Sequence, residues 1–163
     1  MRIIGIDPGL RHTGWGIIDF SGNSLSFVAS GRINPNTDLA VSARLLAIAD
    51  GIFEVVDKYA PIEAAIEETF VNKNAKSALL LGQARGSAIL ALAQKGLFAT
   101  EYSANRIKQS ITGYGHADKN QIQTMVAILL PKMDKAVKLT PDGADALAVA
   151  ITHAHHRNDL IHN

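Results

Sequence analysis

Apolar and polar positions change period several times along the chain, and each change marks an element. Residues 3–7, IIGID, are a short apolar run that closes on Asp7 and reads as a buried strand. Residues 14–20, GWGIIDF, repeat the pattern, and Ser21, Gly22 and Asn23 supply a turn between strands. Leu25, Phe27 and Val28, followed by Gly31, Arg32 and Ile33, read as a third strand. Connections this short favour an antiparallel meander. The period then becomes helical. Leu39, Leu45, Leu46, Ala49, Ile52, Phe53 and Val56 fall on one stripe, with Thr37 or Asp38 as the expected cap and Pro61 as the stop. Residues 62–70, IEAAIEETF, give a short strand ending near Glu67. It follows a helix, so it is expected to lie parallel to an earlier strand.

A second long helix is expected over 75–95, with Gly96 at its C-terminal end. LFATEY at 97–102 reads as a fifth strand. Ser103 caps a short helix through Ile111, and Gly113 and Gly115 make a loop. Asp118 caps a further helix with the stripe Ile122, Met125, Val126, Leu129 and Leu130. After a basic linker at 131–139, Thr140 and Pro141 open the last helix as cap and first position, and it runs to about His156. This order describes an α/β sandwich on a mixed sheet. A chain of 163 residues suits a single domain over 1–163, and no internal repeat interrupts it.

The absence of cysteine excludes disulfides and zinc-thiolate sites and fits a reducing compartment. The first residues lack the apolar stretch of a signal peptide, and no apolar run approaches the roughly 20 residues of a membrane span. The expectation is a cytoplasmic protein with no membrane partner. Net charge is only +1, but its distribution is skewed. Between Val71 and Lys119 lie Lys73, Lys76, Arg85, Lys95, Arg106, Lys108 and Lys119, against Glu101 and Asp118. Such asymmetry marks either an electrostatic footprint for nucleic acid or a solvated surface.

Four acids sit at element ends. Asp7 closes the first strand and Glu67 the fourth, while Asp142 and Asp145 share one face at the start of the last helix. If the first and fourth strands are neighbours, the last helix need only dock there to complete a cluster. Carboxylates so close repel one another, and hard divalent cations such as Mg²⁺ offset that. Two such ions can activate a water and stabilise the leaving oxygen of a phosphodiester. Simpler accounts stand beside this. Asp142 suits a helix N-terminus through the dipole, and Glu67 and Glu68 suit an exposed strand end. Asp7 before Pro8 and Gly9 also suits the phosphate turn of actin-like ATPases, although those repeat the motif in a second domain and this chain is too short for one.

The chain resembles the RuvC-type Holliday junction resolvases. GIDPG at 5–9, TGWG at 13–16, AIEETF at 65–70, NAKSALLLGQARG at 74–86, KQSITGYGHADKNQIQ at 108–123 and DGADALAVAITH at 142–153 match that family's blocks in order. The resemblance implies a ribonuclease H-like three-layer sandwich, with a mixed five-stranded sheet and helices on both faces. It implies that Asp7, Glu67, Asp142 and Asp145 are catalytic acids holding Mg²⁺, two ions per site, with Mn²⁺ as a substitute. It further implies a homodimer that nicks a four-way DNA junction symmetrically, leaves 5′-phosphate and 3′-hydroxyl ends, and works with the RuvA and RuvB branch-migration proteins. Lys108 and Lys119 match basic residues near the junction, and Lys119 is placed to reach the scissile phosphate. Phe70 matches an aromatic that wedges between or stacks on unpaired bases; a core phenylalanine is the alternative. Lys73, Lys76 and Arg85 complete the expected DNA contacts.

Charge supports DNA binding independently. Setting aside the four acids that metal would neutralise leaves sixteen basic residues against eleven acids, a balance of +5. Gly82 and Gly86, with Ala78 on the same side, fit either packing of the second helix on its own sheet or a dimer interface. His153, His155 and His156 resemble a metal cluster only superficially, since adjacent side chains point apart. His116 falls in the expected active-site loop. The acid set argues for activity but leaves the substrate open: a ribosomal RNA maturation nuclease of the same fold and an ATP-binding fragment are the competing classes.

Overall fold

A computed structural model of the chain describes residues 1–69, 74–131, 133 and 139–161, with backbone alone for 158–161. Strands β1 (Arg2–Asp7), β2 (Thr13–Ser21) and β3 (Ser24–Ile33) form the antiparallel meander. Helix α1 (Val41–Tyr59) leads to β4 (Glu63–Glu67), which pairs parallel to β1. Helix α2 (Ala75–Gln94) then leads to β5 (Thr100–Tyr102), parallel to β4. Helices α3 (Ala104–Thr112), α4 (Lys119–Leu129) and α5 (Pro141–Ile161) complete the order. The sheet runs β3-β2-β1-β4-β5.

Alternation along the strands divides the interior into two layers. Ile4, Ile6, Ile17 and Ile66 face α1 and α2, together with Ile48, Ile52, Ala84 and Ala88. Ile3, Ile18 and Ala65 face α5, with α3 and α4 packed outside it. β1 is buried on both faces, which is why its sequence is a continuous apolar run rather than an alternating one. Each isoleucine buried there contributes roughly 1.5–3 kcal/mol relative to exposure.

Helix α5 lies directly on the sheet because three positions beneath it have no side chain. A Cβ at Gly5 would stand 2.1 Å from the Ala146 carbonyl oxygen, and one at Gly14 would stand 2.1 Å from that of Asp142. At Gly16 it would meet Leu147 at 2.8 Å. Gly5 and Gly16 are register partners, and Gly14 is the partner of Asp7. This glycine track lowers the start of α5 onto the end of β1.

The end signals act as expected at most boundaries. The Ser103 side chain accepts from the Arg106 amide, and the Asp118 side chain accepts from the Gln121 amide. Gln121 answers on the Asp118 amide, a reciprocal box that satisfies two otherwise unpaired donors. Thr140 receives the Gly143 amide, and Gly96 adopts φ +78 beyond α2.

Several expectations need correction. Neither Thr37 nor Asp38 caps α1; the Asn36 side chain accepts from the Asp38 amide and holds a turn there, so the helix starts at Val41 with no side-chain cap. Leu39 therefore precedes the helix, and it and Leu46 are exposed, while Ile48 and Val55 join the buried stripe. The fifth strand is confined to Thr100–Tyr102, because the Leu97 amide is still tied to the Leu92 carbonyl at the end of α2. Leu130 is buried just past α4 rather than within it, and α5 continues to Ile161. Most of the basic linker lies outside the described residues.

Candidate active site

β1 and β4 end side by side, since Ile6 is the register partner of Ile66, and this sets Asp7 beside Glu67. The chain must leave the sheet at once after Asp7. Pro8 and Gly9 begin that exit, and a Cβ on Gly9 would stand 2.4 Å from the His12 carbonyl oxygen. The buried Thr13 pins the loop, donating to the Gly9 carbonyl at 2.7 Å and accepting from the Gly9 amide at 3.3 Å. Arg44 of α1 donates to the Leu10 carbonyl at 3.0 Å. The carboxylate is thus carried on a braced turn. Neither Thr13 nor Arg44 was singled out in the sequence, because neither lies next to an acid.

Asp7, Glu67 and Asp145 line a cleft of about 460 Å³ together with Lys108 and Lys119. Asp142 lies one helical turn before Asp145 and adds its field to both Asp7 and Asp145. Burial pushes the Asp7 carboxyl well above the usual carboxylate range, and the charges of Glu67, Asp145 and Asp142 push the same way. Burial likewise raises Glu67, with Asp145 adding to it and Lys119 opposing. Asp145 is raised by burial while the Lys119 ammonium pulls it back. Lys119 itself is raised, chiefly by Asp145, whose Oδ2 it meets at 3.4 Å. The two α5 acids each face a cation: Asp145 has Lys119, and Asp142 has Arg32 at 3.7 Å. Arg32 was not singled out among the expected site residues, because its partner lies far along the chain.

The donor set fits hard divalent cations: four carboxylates, with Asp7, Glu67 and Asp145 each held above the usual carboxylate range, chiefly by burial, and no cysteine in the chain. As they stand, no three His, Asp or Glu side chains among the described residues are gathered closely enough to hold an ion.

The other expected contacts are distributed unequally. Lys108 borders the cleft. Arg85 is half-buried, donates to the Glu67 carbonyl at 3.4 Å, and is ion-paired with Glu101, so it braces the end of β4. Lys76 is exposed in the first turn of α2 and does not line the cleft. Phe70 and Lys73 lie outside the described residues. His116 stands edge-on to Tyr114 in the α3–α4 loop. Of the α5 histidines, His153 meets Tyr102 through Nδ1 and Glu63 through Nε2, both at 3.0 Å, His156 lies tilted against the same Tyr102 ring, and His155 turns away to Ser110. Gly82 and Gly86 face outward with nothing within 4 Å of an added Cβ, which excludes their packing on the sheet.

A mixed sheet of this order, with acids on the ends of its two central parallel strands and on the helix crossing them, defines a ribonuclease H-like nuclease. The sequence profile described as "Crossover junction endodeoxyribonuclease RuvC" matches residues 3–153. A protein of that name from Afipia carboxidovorans is 57% identical over 161 residues, covering 99% of this chain and 92% of its own. Another from Rhodopseudomonas palustris is 56% identical over 157 residues, covering 96% and 88%. The Thermus thermophilus RuvC structure in complex with a Holliday junction substrate superposes with TM-score 0.88 at 29% identity, over 98% of this chain and 96% of that one. The chain belongs to the RuvC family of crossover junction endodeoxyribonucleases, which are metal-dependent nucleases.

Proposed function

We propose that this chain resolves Holliday junctions in DNA recombination and repair. It hydrolyses one phosphodiester bond in each of two like-polarity strands, leaving nicks with 5′-phosphate and 3′-hydroxyl ends. The observation that carries this is the meeting of Asp7, Glu67 and Asp145 in one cleft with Lys119, supported by family membership over residues 3–153.

In this reading Asp7, Glu67, Asp142 and Asp145 hold Mg²⁺, two ions per site, with Mn²⁺ able to replace it. Bound there, such ions supply an activated water and charge stabilisation at the leaving oxygen. Asp7 orients the centre from its braced turn, and the α5 acids close it from above. Lys119 holds a scissile-phosphate oxygen and Lys108 a neighbouring one. Phe70, Lys73, Lys76 and Arg85 contact the DNA arms, Arg85 after exchanging Glu101 for phosphate.

Paired nicks require two sites, and the outer face of α1 and α2 supports a homodimer. Leu46, Leu79 and Leu90 are exposed there, next to the side-chain-free Gly82 and Gly86. RuvA and RuvB are the partners that deliver the junction. The protein acts as a single domain over 1–163 in the cytoplasm; among the described residues no helix is long and apolar enough to cross a membrane.

The test is incubation with Mg²⁺ and a mobile four-way junction, beside linear duplex and an RNA–DNA hybrid. Paired symmetric nicks in the junction alone are expected. Preferential cutting of the hybrid or of linear duplex overturns the assignment.

A further inference from the structure

The registered row across the ends of β3, β2 and β1 is Arg32, Gly14, Asp7. Strands about 4.8 Å apart put the Arg32 backbone about 10 Å from that of Asp7. Gly14 between them has no side chain, so the guanidinium reaches over it to Asp142. Arg32 and Lys119 therefore flank the acid set from opposite sides, one on the β3 edge and one on the α4 side.

The Arg32–Asp142 contact is a loose one. It is a single N–O approach of 3.7 Å, against about 2.8 Å for a charge-assisted hydrogen bond. The side chains are 41% and 26% exposed, and an ion pair so open to water is readily broken. The α5 acids are each turned toward a cation, Asp142 toward Arg32 and Asp145 toward Lys119. A metal on Asp142 would offset the charge that attracts Arg32 and so weaken a contact that is already loose. Arg32 would then stand beside the positive N-terminus of α5 and an added divalent charge, a position no cation favours without an anion. Guanidinium matches the geometry of phosphate as well as that of carboxylate.

We propose that Arg32 is a partner-exchanging phosphate contact: it neutralises Asp142 before metal binds and transfers to a backbone phosphate of the bound strand, on the β3 side of the cleft, once metal binds. The inference rests on the four acids being the metal ligands.

Two measurements on Arg32→Gln test it, neither reading cleavage. In the first, Mn²⁺ is titrated calorimetrically into the DNA-free protein. Asp7→Asn must weaken Mn²⁺ binding relative to the unsubstituted chain; if it does not, the ligand assignment fails, whatever Arg32 does. With that established, Arg32→Gln is expected to tighten Mn²⁺ about 3- to 10-fold by removing the competitor for Asp142. In the second, junction binding is measured against salt, with EDTA and with Ca²⁺, on DNA verified intact. Arg32→Gln is expected to make the slope of log K on log salt shallower by about 1 per protomer, about 2 for a junction-bound dimer, with Ca²⁺ and to leave it unchanged in EDTA. Arg32→Lys should keep the slope of the unsubstituted chain, since it keeps the charge. Weaker Mn²⁺ binding by Arg32→Gln would mean that Arg32 merely positions Asp142, and an unchanged slope with Ca²⁺ would mean that it touches no phosphate. Either result overturns the proposal.

Discussion

Asp7, as a proposed metal ligand, carries opposite signs for stability and for catalysis. Its carboxyl is held well above the usual range by burial and then by three neighbouring acids. The folded chain therefore keeps this proton at pH values where the unfolded chain has lost it. Stability from this group is full below the ordinary value of 3.8 and declines as pH rises from there toward the folded value. Without divalent cation, Asp7→Asn should melt several degrees above the unsubstituted chain at neutral pH, and the gap should close as pH falls toward 4. Melting curves in EDTA across that range check it, and an Asn variant that melts lower at neutral pH refutes it. Added Mg²⁺ should raise the melting temperature of the unsubstituted chain far more than that of the variant. Cleavage by Asp7→Asn should fall by about 10³-fold or more, as expected when a contribution of several kcal/mol is lost. Binding of the uncut junction should persist, since no phosphate contact is removed. The four acids were legible in the sequence because each sits where a predicted element begins or ends. Arg32, Thr13 and Arg44 were not, since each acts on a backbone or acid that only the folded topology brings near.

At the scale of elements, the glycines sort into two kinds that the sequence does not distinguish. Gly14 is held free of a side chain by the Asp142 carbonyl, whereas Gly82 faces open space. Gly14→Ala should destabilise the fold by about 1–3 kcal/mol through overpacking, and it should weaken metal binding by lifting the start of α5. Gly82→Ala should do the reverse, stabilising the isolated helix by about 0.5–1 kcal/mol. Urea unfolding of both variants measures these values. Asp118→Ala should cost about 0.5–2 kcal/mol by opening the cap of α4, and with it the first turn, which carries Lys119. Element order and strand direction could be read, because β1 and β4 are short apolar runs that end on acids and the turn residues and connecting helices set their directions. The start of α1 could not, since the side chain of Asn36 competes for the same turn. Nor could the short β5, whose predicted first half is consumed by the end of α2.

For the whole molecule, net charge understates the affinity for DNA, because the acids are concentrated where metal would offset them. Junction affinity should fall steeply with salt, and more steeply with divalent cation bound than without it; a nearly salt-independent affinity would contradict this. The exposed leucines of α1 and α2 give the proposed dimer its apolar content. Leu79→Glu should yield monomers in sedimentation experiments and convert paired nicks into uncoordinated single ones. The order of parts along the chain has a consequence for synthesis. β1 to β5 precede α5, which carries Asp142 and Asp145. At translation rates of about 5–20 residues per second, Asp142 follows Glu67 by roughly 4 to 15 s. A chain abandoned in that interval owns half of its acids and leaves Ile3 and Ile18 without the helix that covers them. If the four acids hold the metal as proposed, such a fragment would expose apolar surface and would not cut, so an unfinished copy would threaten no DNA.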